Sequence, residues 1–269
     1  MTPTQAVVLA VVQGVSEFLP ISSSGHLILV PRLFGWPDQG LDFDVAIHAG
    51  TLLAVLLYFR RDLRNIAVGF FRGPAAVPDA DYDPRRLGWA LLLGTVPAVV
   101  CGLAFKDLIA TQARNPLLIA GTLIGYGLLM GVAERVGVQR RELAAIGWLA
   151  ALAIGCAQAL ALVPGTSRSG VTITAALLLG FTRPAAARFS FLLSVPVLLA
   201  AAALDAVDLA TGAVPAEKLW LMALGVAGSA VTGYLVIAWF LAWLRGRSLL
   251  PFVVYRLALG LAILALWAY

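Results

Sequence analysis

Two short polar segments interrupt an apolar sequence and carry residue types that suit phosphate chemistry. The first segment runs from Gln13 to His26 and reads QGVSEFLPISSSGH. Its acidic residue, Glu17, lies within an apolar stretch, where an ionisable group is costly to bury and is functional by default. Gln13 precedes Glu17 by four residues, so a helix would place both side chains on one face. Glu17 is therefore a candidate proton acceptor.

Three consecutive hydroxyl side chains follow in the same segment, at Ser22, Ser23 and Ser24. At the start of a helix, their hydroxyls and backbone N–H groups can cap the helix or bind an anion. The imidazole of His26 comes directly afterwards and could donate to an anion or move a proton near neutral pH. This segment thus offers a carboxylate, a histidine and a hydroxyl nucleophile.

The second segment runs from Pro164 to Thr172 and reads PGTSRSGVT. Its cation, Arg168, looks like the single unpaired cation within the apolar segments, and a guanidinium can bind two phosphate oxygens at once. Hydroxyls and a flexible glycine backbone surround it and add hydrogen-bond donors for an anion. The neighbours of Arg168 that we expect to contact a phosphate are Gly165, Thr166, Ser167, Ser169, Gly170 and Thr172.

The composition indicates that both segments lie within a membrane. Of the 269 residues, 61% are hydrophobic and 12% are charged, whereas a soluble domain has about 25% charged residues. A lipid bilayer can accommodate the excess apolar surface. The basic residues occur in short runs between apolar segments and not on one soluble face, so the positive net charge does not indicate a nucleic-acid partner.

The apolar segments predict an all-α polytopic membrane protein. Six segments serve as transmembrane helices, at 45–59, 88–105, 116–134, 189–206, 218–244 and 252–268. The remaining four form two pairs, each interrupted by one polar segment: 6–20 with 26–34, and 144–163 with 171–181. A polar turn at membrane depth is tolerated where protein or a wet cavity surrounds it, so we expect two re-entrant helix hairpins.

The two hairpins also align with each other without gaps. At an offset of 145, Gln13 matches Gln158, and Gly25 matches Gly170. Each half then contains one hairpin and three spans, and an odd number of spans reverses the orientation of the second half. We therefore expect an inverted-topology repeat within a single membrane domain, with repeats at 1–142 and 143–269.

Charge placement orients this topology. Arginines concentrate in an inner loop at 60–86 and in the connections at 135–143 and 245–251. Because basic residues favour the cytoplasmic side, both termini are expected on the periplasmic or extracellular side. The outer loops then hold Arg32, Lys106, Arg114 and Lys218.

The two polar segments resemble the paired motifs E-F-L-P-[IV]-S-S-[ST]-G-H and P-G-x-S-R-S-G-x-T of the undecaprenyl-diphosphate phosphatases, the bacitracin-resistance family of bacteria. The resemblance extends over nearly the whole chain and includes the stretch FSFLLSVP at 189–196. It implies hydrolysis of undecaprenyl diphosphate to undecaprenyl phosphate and inorganic phosphate in the bacterial inner membrane. It also implies a divalent cation, Mg²⁺ or Ca²⁺.

The resemblance assigns roles to individual residues. Ser23 matches the proposed nucleophile, His26 the proposed acid or base, and Arg168 the arginine that binds the diphosphate. The acidic motif corresponds to Gln13 and Glu17, where some members have two glutamates. Here it leaves one carboxylate as the expected metal ligand, with Gln13 beside it.

Several alternatives remain open from the sequence. A transporter that flips polyprenyl phosphate would also use inverted repeats and broken helices. A scaffold without chemistry leaves Glu17 and Arg168 at membrane depth unexplained. Water could replace Ser23 as the nucleophile. A homodimer is a further open possibility, and His48 is expected to have a structural or interfacial role.

Overall fold

The computed structural model describes residues 1–105, 115–209 and 216–267, and within these ranges the chain forms eleven α-helices and no β-strand. The helices are α1 (Pro3–Phe18), α2 (Ser23–Leu33), α3 (Leu41–Tyr58), α4 (Arg60–Arg72), α5 (Pro84–Ala104), α6 (Pro116–Val136), α7 (Trp148–Ala159), α8 (Arg168–Leu178), α9 (Arg183–Leu209), α10 (Ala216–Leu244) and α11 (Leu250–Trp267). Six of them, α3, α5, α6, α9, α10 and α11, are long and apolar enough to cross a membrane. The all-α class and the six predicted spans are thereby confirmed.

Capping residues define where several helices begin. Thr2 and Gln5 form a reciprocal capping box at the start of α1. The side chains of Asp83 and Asn115 accept hydrogen bonds from the first backbone N–H groups of α5 and α6. A proline occupies the first position in all three helices, where its missing N–H has no cost. These signals lie in the sequence and fix the helix starts locally.

Small residues allow the long helices to approach closely. Helix α10 packs along α3 and α1, α11 packs along α6, and α5 packs along α7. A Cβ atom added at Gly50 of α3 would overlap Ser229 of α10, and one added at Gly155 of α7 would overlap the backbone of Gly94 in α5. Close backbone contact of this kind drives helix association in lipid, where the hydrophobic effect between helices is weak.

The segment at 60–86 is largely helical, which corrects its interpretation as a loop. Ile66 and Phe70 are four residues apart and face the same side of α4, where both pack over Gly88 of α5. The Phe70 ring also lies 4.9 Å from the Trp89 ring, between centroids. Phe71 points away from this contact and is 84% exposed. Apolar contacts with α5 therefore order a segment that its arginines alone made look like a solvated loop.

Ion pairs join α4 and the connection between α4 and α5 to Arg188, near the start of α9. The guanidinium of Arg188 binds Asp81 at 2.6 Å and Asp62 at 2.5 Å. The Tyr82 hydroxyl donates to Asp62 Oδ1 at 2.9 Å. Burial, with the nearby Asp62 carboxylate, raises the pKa of the Tyr82 phenol, so the phenol keeps the proton that it donates.

The predicted outer loops include Lys106 and Arg114, which lie outside the described residues, and Lys218, which the structure describes. Lys218 Nζ lies 3.7 Å from Asp42 Oδ2. The starts of α3 and α10 are therefore at the same end of the molecule, as the predicted topology requires. The side of the membrane on which the termini lie stays a prediction.

Candidate active site

The two polar segments form turns of the same local geometry, one between α1 and α2 and one between α7 and α8. Ser22 has a φ of 76° and Ser167 a φ of 72°. Each serine caps the following helix, accepting a hydrogen bond from the backbone N–H of Gly25 or Gly170 respectively. Positive φ is uncommon for residues other than glycine, and such strained positions cluster at functional sites.

An ion pair joins the two turns. Arg168 Nη2, at the start of α8, lies 2.9 Å from Glu17 Oε1, near the end of α1. Their side chains are 12% and 6% exposed, respectively. Arg168 Nη1 donates to the carbonyl oxygen of Ser190 in α9 at 3.1 Å. Arg168 is thus not the unpaired cation that the sequence suggested, because a buried charge is retained when an opposite charge and hydrogen bonds compensate it.

The other oxygen of the Glu17 carboxylate accepts from the first turn. The Ser23 hydroxyl donates to Glu17 Oε2 at 2.7 Å. The Gln13 amide donates to the same oxygen at 3.3 Å, as its four-residue spacing predicted. A hydroxyl that already donates to a carboxylate is placed to lose its proton to that carboxylate when it attacks an electrophile.

Glu17, Ser23 and Arg168 line a cavity of about 450 Å³. Apolar side chains of α3 and α9 form its walls. Such a cavity, lined by both polar and apolar side chains, suits a ligand with an anionic head and an apolar tail. The polar residues that line it are Glu17, Ser23, Ser24, Asp44, His48, Ser167 and Arg168.

Two of these residues were not assigned to the site from the sequence. His48 Nε2 lies 3.9 Å from Glu17 Oε2, and its Nδ1 lies 2.7 Å from the carbonyl oxygen of Asp44, one turn earlier in α3. That carbonyl accepts, so Nδ1 carries the proton and Nε2 faces the carboxylate. Their spacing of four residues within an apolar span is the signal that could have revealed this pair.

His26 faces a different environment. Its Nδ1 lies 2.7 Å from the carbonyl oxygen of Ser22, and its Nε2 lies 2.6 Å from the hydroxyl of Tyr255 in α11. Both ring nitrogens therefore have partners, and His26 is not among the residues that line the cavity. The acid or base role that the resemblance implies for His26 stays a prediction, and this geometry does not bring its ring to the cavity.

Most of the predicted phosphate-binding residues lie in the second turn or at the start of α8 and do not line the cavity. The Ser169 hydroxyl donates to the carbonyl oxygen of Leu19 in the first turn at 3.1 Å. Thr172 is hydrogen-bonded to the Ser190 hydroxyl at 2.7 Å and so supports the residue that holds Arg168. Thr166 is fully buried. Gly165 and Ser22 belong to the turns and Gly170 to the start of α8, whereas Ser24 and Ser167 line the cavity.

The donor set of the cavity suits a hard divalent cation held together with a diphosphate. Within the described ranges, no group of three or more His, Cys, Asp or Glu residues could hold a metal ion by itself. Glu17 and Asp44 nevertheless bring carboxylates to the cavity, and the buried Gln13 Oε1 has no hydrogen-bond partner. Mg²⁺ is commonly bound by one or two carboxylates and completed by substrate phosphates. These residues fit such a shared site.

The chain resembles known proteins over nearly all of its length. Residues 6–262 match the family described as "Bacitracin resistance protein BacA". Undecaprenyl-diphosphatase 2 of Stutzerimonas stutzeri is 51% identical over 268 residues, which cover 98% of each chain. Undecaprenyl-diphosphatase of Alcanivorax borkumensis is 53% identical over 261 residues, which cover 97% of each chain. This protein therefore belongs to the bacitracin resistance protein BacA family.

Proposed function

We propose that this protein hydrolyses undecaprenyl diphosphate to undecaprenyl phosphate and inorganic phosphate, recycling the lipid carrier of cell-wall synthesis. The observation that carries the proposal is the Glu17 carboxylate, which holds Ser23 on one oxygen and Arg168 on the other in the lining of the cavity. Nucleophile, proton acceptor and anion-binding cation thus meet at one point. The names of the relatives support the same activity, and they do not favour the alternative of a lipid flippase.

The substrate would bind with its diphosphate beside Arg168 and its tail against the apolar lining of the cavity. Arg168 and the N-terminus of α8, capped by Ser167, provide positive charge for the phosphates. Ser190 holds Arg168 Nη1, so the guanidinium is oriented before the substrate arrives. Donors that are fixed in advance need no reorganisation when charge develops on the transferred phosphoryl group.

The reaction can proceed in two balanced steps. Ser23 Oγ attacks the terminal phosphorus, its proton passes to Glu17, and the bond between that phosphorus and the bridging oxygen breaks to release undecaprenyl phosphate. Water then attacks the phosphorus of the phosphoserine, and the bond between Ser23 Oγ and phosphorus breaks. Glu17 returns its proton to Ser23 Oγ, and inorganic phosphate leaves with the protons of the water molecule. In the alternative, Glu17 orients a water molecule that attacks directly, and Ser23 only positions the substrate.

Substitution of Ser23 separates these routes. Ser23→Ala should lower turnover about 10³-fold or more if the hydroxyl is the nucleophile. Ser24→Ala is the matched control, because Ser24 lines the same cavity but is hydrogen-bonded to Ser22 and Gly165 and not to Glu17. It should lose far less activity. Near-full turnover of Ser23→Ala would instead assign the attack to water.

A divalent cation, Mg²⁺ or Ca²⁺, belongs to the proposal as well. It would be held by Glu17 and Gln13, with Asp44 as a second carboxylate at the same cavity. When bound, it would supply positive charge that stabilises the negative charge on the diphosphate oxygens, including the charge that develops on the leaving phosphate. The proton transfer assigned to Glu17 and the phosphate binding assigned to Arg168 are performed by these two side chains themselves.

We further propose that the two helix pairs are re-entrant hairpins of an inverted-topology repeat, with halves at 1–142 and 143–269. The paired helices have 16, 11, 12 and 11 residues, whereas a full span needs about 20. Gln13 and Gln158, aligned in the repeat, are both buried with an amide oxygen that lacks a partner. The packing of α1 on α10 has its counterpart in the packing of α7 on α5.

We also propose a location and an orientation in the membrane. We place the protein in the bacterial inner membrane with both termini on the outer side and the first hairpin entering from that side, since the arginine-rich connections favour the cytoplasm. Labelling of single cysteines near the two termini with a membrane-impermeant reagent in intact cells tests this orientation. A homodimer also stays a prediction, which mass measurement of the protein in detergent would test.

A phosphate-release assay tests the function directly. Purified protein in detergent is given undecaprenyl diphosphate or a shorter prenyl diphosphate, each with and without EDTA. We expect inorganic phosphate from the C55 substrate and a loss of release in EDTA that Mg²⁺ or Ca²⁺ restores. Absence of phosphate release, together with transfer of polyprenyl phosphate across vesicles, would overturn the proposal in favour of the flippase.

A further inference from the structure

A second buried cation lies next to the site, in α11. The Arg256 side chain is almost completely buried, with 1% exposure. Its guanidinium does not face the cavity but donates to backbone carbonyl oxygens at distances from 3.0 to 3.3 Å. These carbonyls belong to Pro20, Thr122, Leu123, Gly165 and Thr166.

The partners of Arg256 come from both polar turns. Pro20 belongs to the turn between α1 and α2, and Gly165 and Thr166 belong to the turn between α7 and α8. Turn carbonyls lack helical partners, and at membrane depth no bulk water is available to satisfy them. The Arg256 side chain therefore donates hydrogen bonds to backbone carbonyl oxygens of both turns and so joins the two turns.

We infer that Arg256 is a positioning residue that holds the two turns in register, so that Ser23, Glu17 and Arg168 face the same cavity. The inference rests on the proposed function, because register matters to activity only if these groups react together. The ion pair between Glu17 and Arg168 joins the turns through side chains that the substrate must engage. Arg256 does not face the cavity, and it joins the turns through backbone carbonyl oxygens that no substrate displaces.

The surroundings of Arg256 are shaped to a guanidinium. A Cβ atom added at Gly170 would lie 3.2 Å from Arg256 Nη1, and one added at Gly127 would lie 3.2 Å from Arg256 Cβ. Three different nitrogens of the planar group reach the carbonyls of the two turns and of α6. Lysine carries its three donors on one nitrogen and cannot reproduce that spread.

Helix α6 supports the second turn in the same manner. The Thr122 hydroxyl donates to the carbonyl oxygen of Pro164 at 2.6 Å. Gly165, with a φ of +85°, lies so close to α6 that an added Cβ would overlap Thr122. The packed pair of α6 and α11 thus acts as a rigid support. Thr122 contacts the second turn alone, whereas Arg256 contacts both, so their substitutions should differ.

The test compares Arg256→Lys and Thr122→Val with Arg183→Lys as the matched control. Arg183 is also partly buried, but it pairs with Glu134 and contacts neither turn. In folded protein, we expect Arg256→Lys to lower kcat about 10- to 100-fold with a smaller change in KM, since a ~1 Å misplacement of reacting groups can cost about 10²-fold. Thr122→Val should cause a smaller loss, and Arg183→Lys should keep kcat within about 2-fold of wild type.

Hydrogen exchange gives a readout that does not depend on activity. Arg256→Lys should speed exchange in the peptides that contain both turns, 19–25 and 164–170, while the α3–α10 pair stays protected. Thr122→Val should speed exchange in the second turn alone. Unchanged kcat and unchanged exchange at both turns in folded Arg256→Lys would overturn the inference, as would uniformly faster exchange throughout the chain. If wild-type protein releases no phosphate, the proposed function fails, and the exchange pattern still decides whether Arg256 joins the turns.

Discussion

The ion pair between Glu17 and Arg168 allows stability and catalysis to be measured separately. Glu17→Gln and Arg168→Met each remove one charge and leave the other buried without its partner, since the side chains are 6% and 12% exposed. The double variant leaves neither charge. We therefore expect the two single variants to be unstable and inactive, and the double variant to be no less stable than either single variant but still inactive.

The magnitude follows from the geometry. Two opposite charges about 4 Å apart attract by about 4 kcal/mol at an effective dielectric constant of about 20. Breaking a buried pair by removal of one partner costs about 3–5 kcal/mol. We expect each single variant to lose about 3 kcal/mol and the double variant about 3 kcal/mol in all, which leaves a coupling energy of about 3 kcal/mol. For a chain of this size, each single loss corresponds to a fall in Tm of roughly 6–12 °C.

Thermal unfolding in detergent, followed by tryptophan fluorescence, measures the stability of the wild type and the three variants and so gives the coupling energy of the double-mutant cycle. Phosphate release measures their activity. Arg168→Met also removes the hydrogen bond to the Ser190 carbonyl oxygen, but this loss occurs in both the single and the double variant and so cancels in the coupling energy. A double variant that loses the sum of the two single losses would refute the coupling. A folded double variant with wild-type turnover would refute the assignment of both residues to the reaction.

Two further predictions concern neighbours of Glu17. His48→Gln should lower kcat about 10-fold or more, and His26→Gln clearly less, because His48 Nε2 lies 3.9 Å from the carboxylate inside the cavity while both His26 nitrogens have partners elsewhere. Phosphate release from both variants checks this order, and a larger loss for His26→Gln would reverse it. Gln13→Glu should lower the Mg²⁺ concentration that gives half-maximal activity, since it adds a carboxylate beside Glu17. Titration of Mg²⁺ into EDTA-treated protein measures this, and an unchanged or higher midpoint would remove Gln13 from the metal site.

The fold was largely predictable because its signals are local. Each span is a continuous apolar run, and capping residues mark where two of these helices begin, Asp83 for α5 and Asn115 for α6. Helix α4 was missed because its arginines suggested a solvated loop. What orders it is contact with α5, between Phe70 and Trp89, and a contact between separate segments leaves little trace in either sequence.

The candidate site was predictable in its residue types and not in its pairings. The motifs supplied Glu17, Ser23 and Arg168, but their mutual contacts depend on how the two turns pack. Arg256 lies in an apolar span, and an isolated charge in such a span is a signal of function or structure. Arg256 was missed because Arg168 was expected to be the single cation within the apolar segments. The positive φ of Ser22 and Ser167 had no signal, because glycine and not serine marks such positions in a sequence.

The two polar turns keep one backbone geometry while their side chains have opposite charge. Ser22 and Ser167 both cap a helix with positive φ, yet the first turn adjoins Glu17 and the second adjoins Arg168. Each charge alone would be costly at this depth, and each compensates the other. A diphosphate that binds Arg168 offers the guanidinium a second anionic partner, and Glu17 then keeps Ser23 as its closest hydrogen-bond donor. In the proposed reaction, substrate binding and preparation of the nucleophile would therefore involve the same ion pair, whose carboxylate and guanidinium come from different halves of the chain.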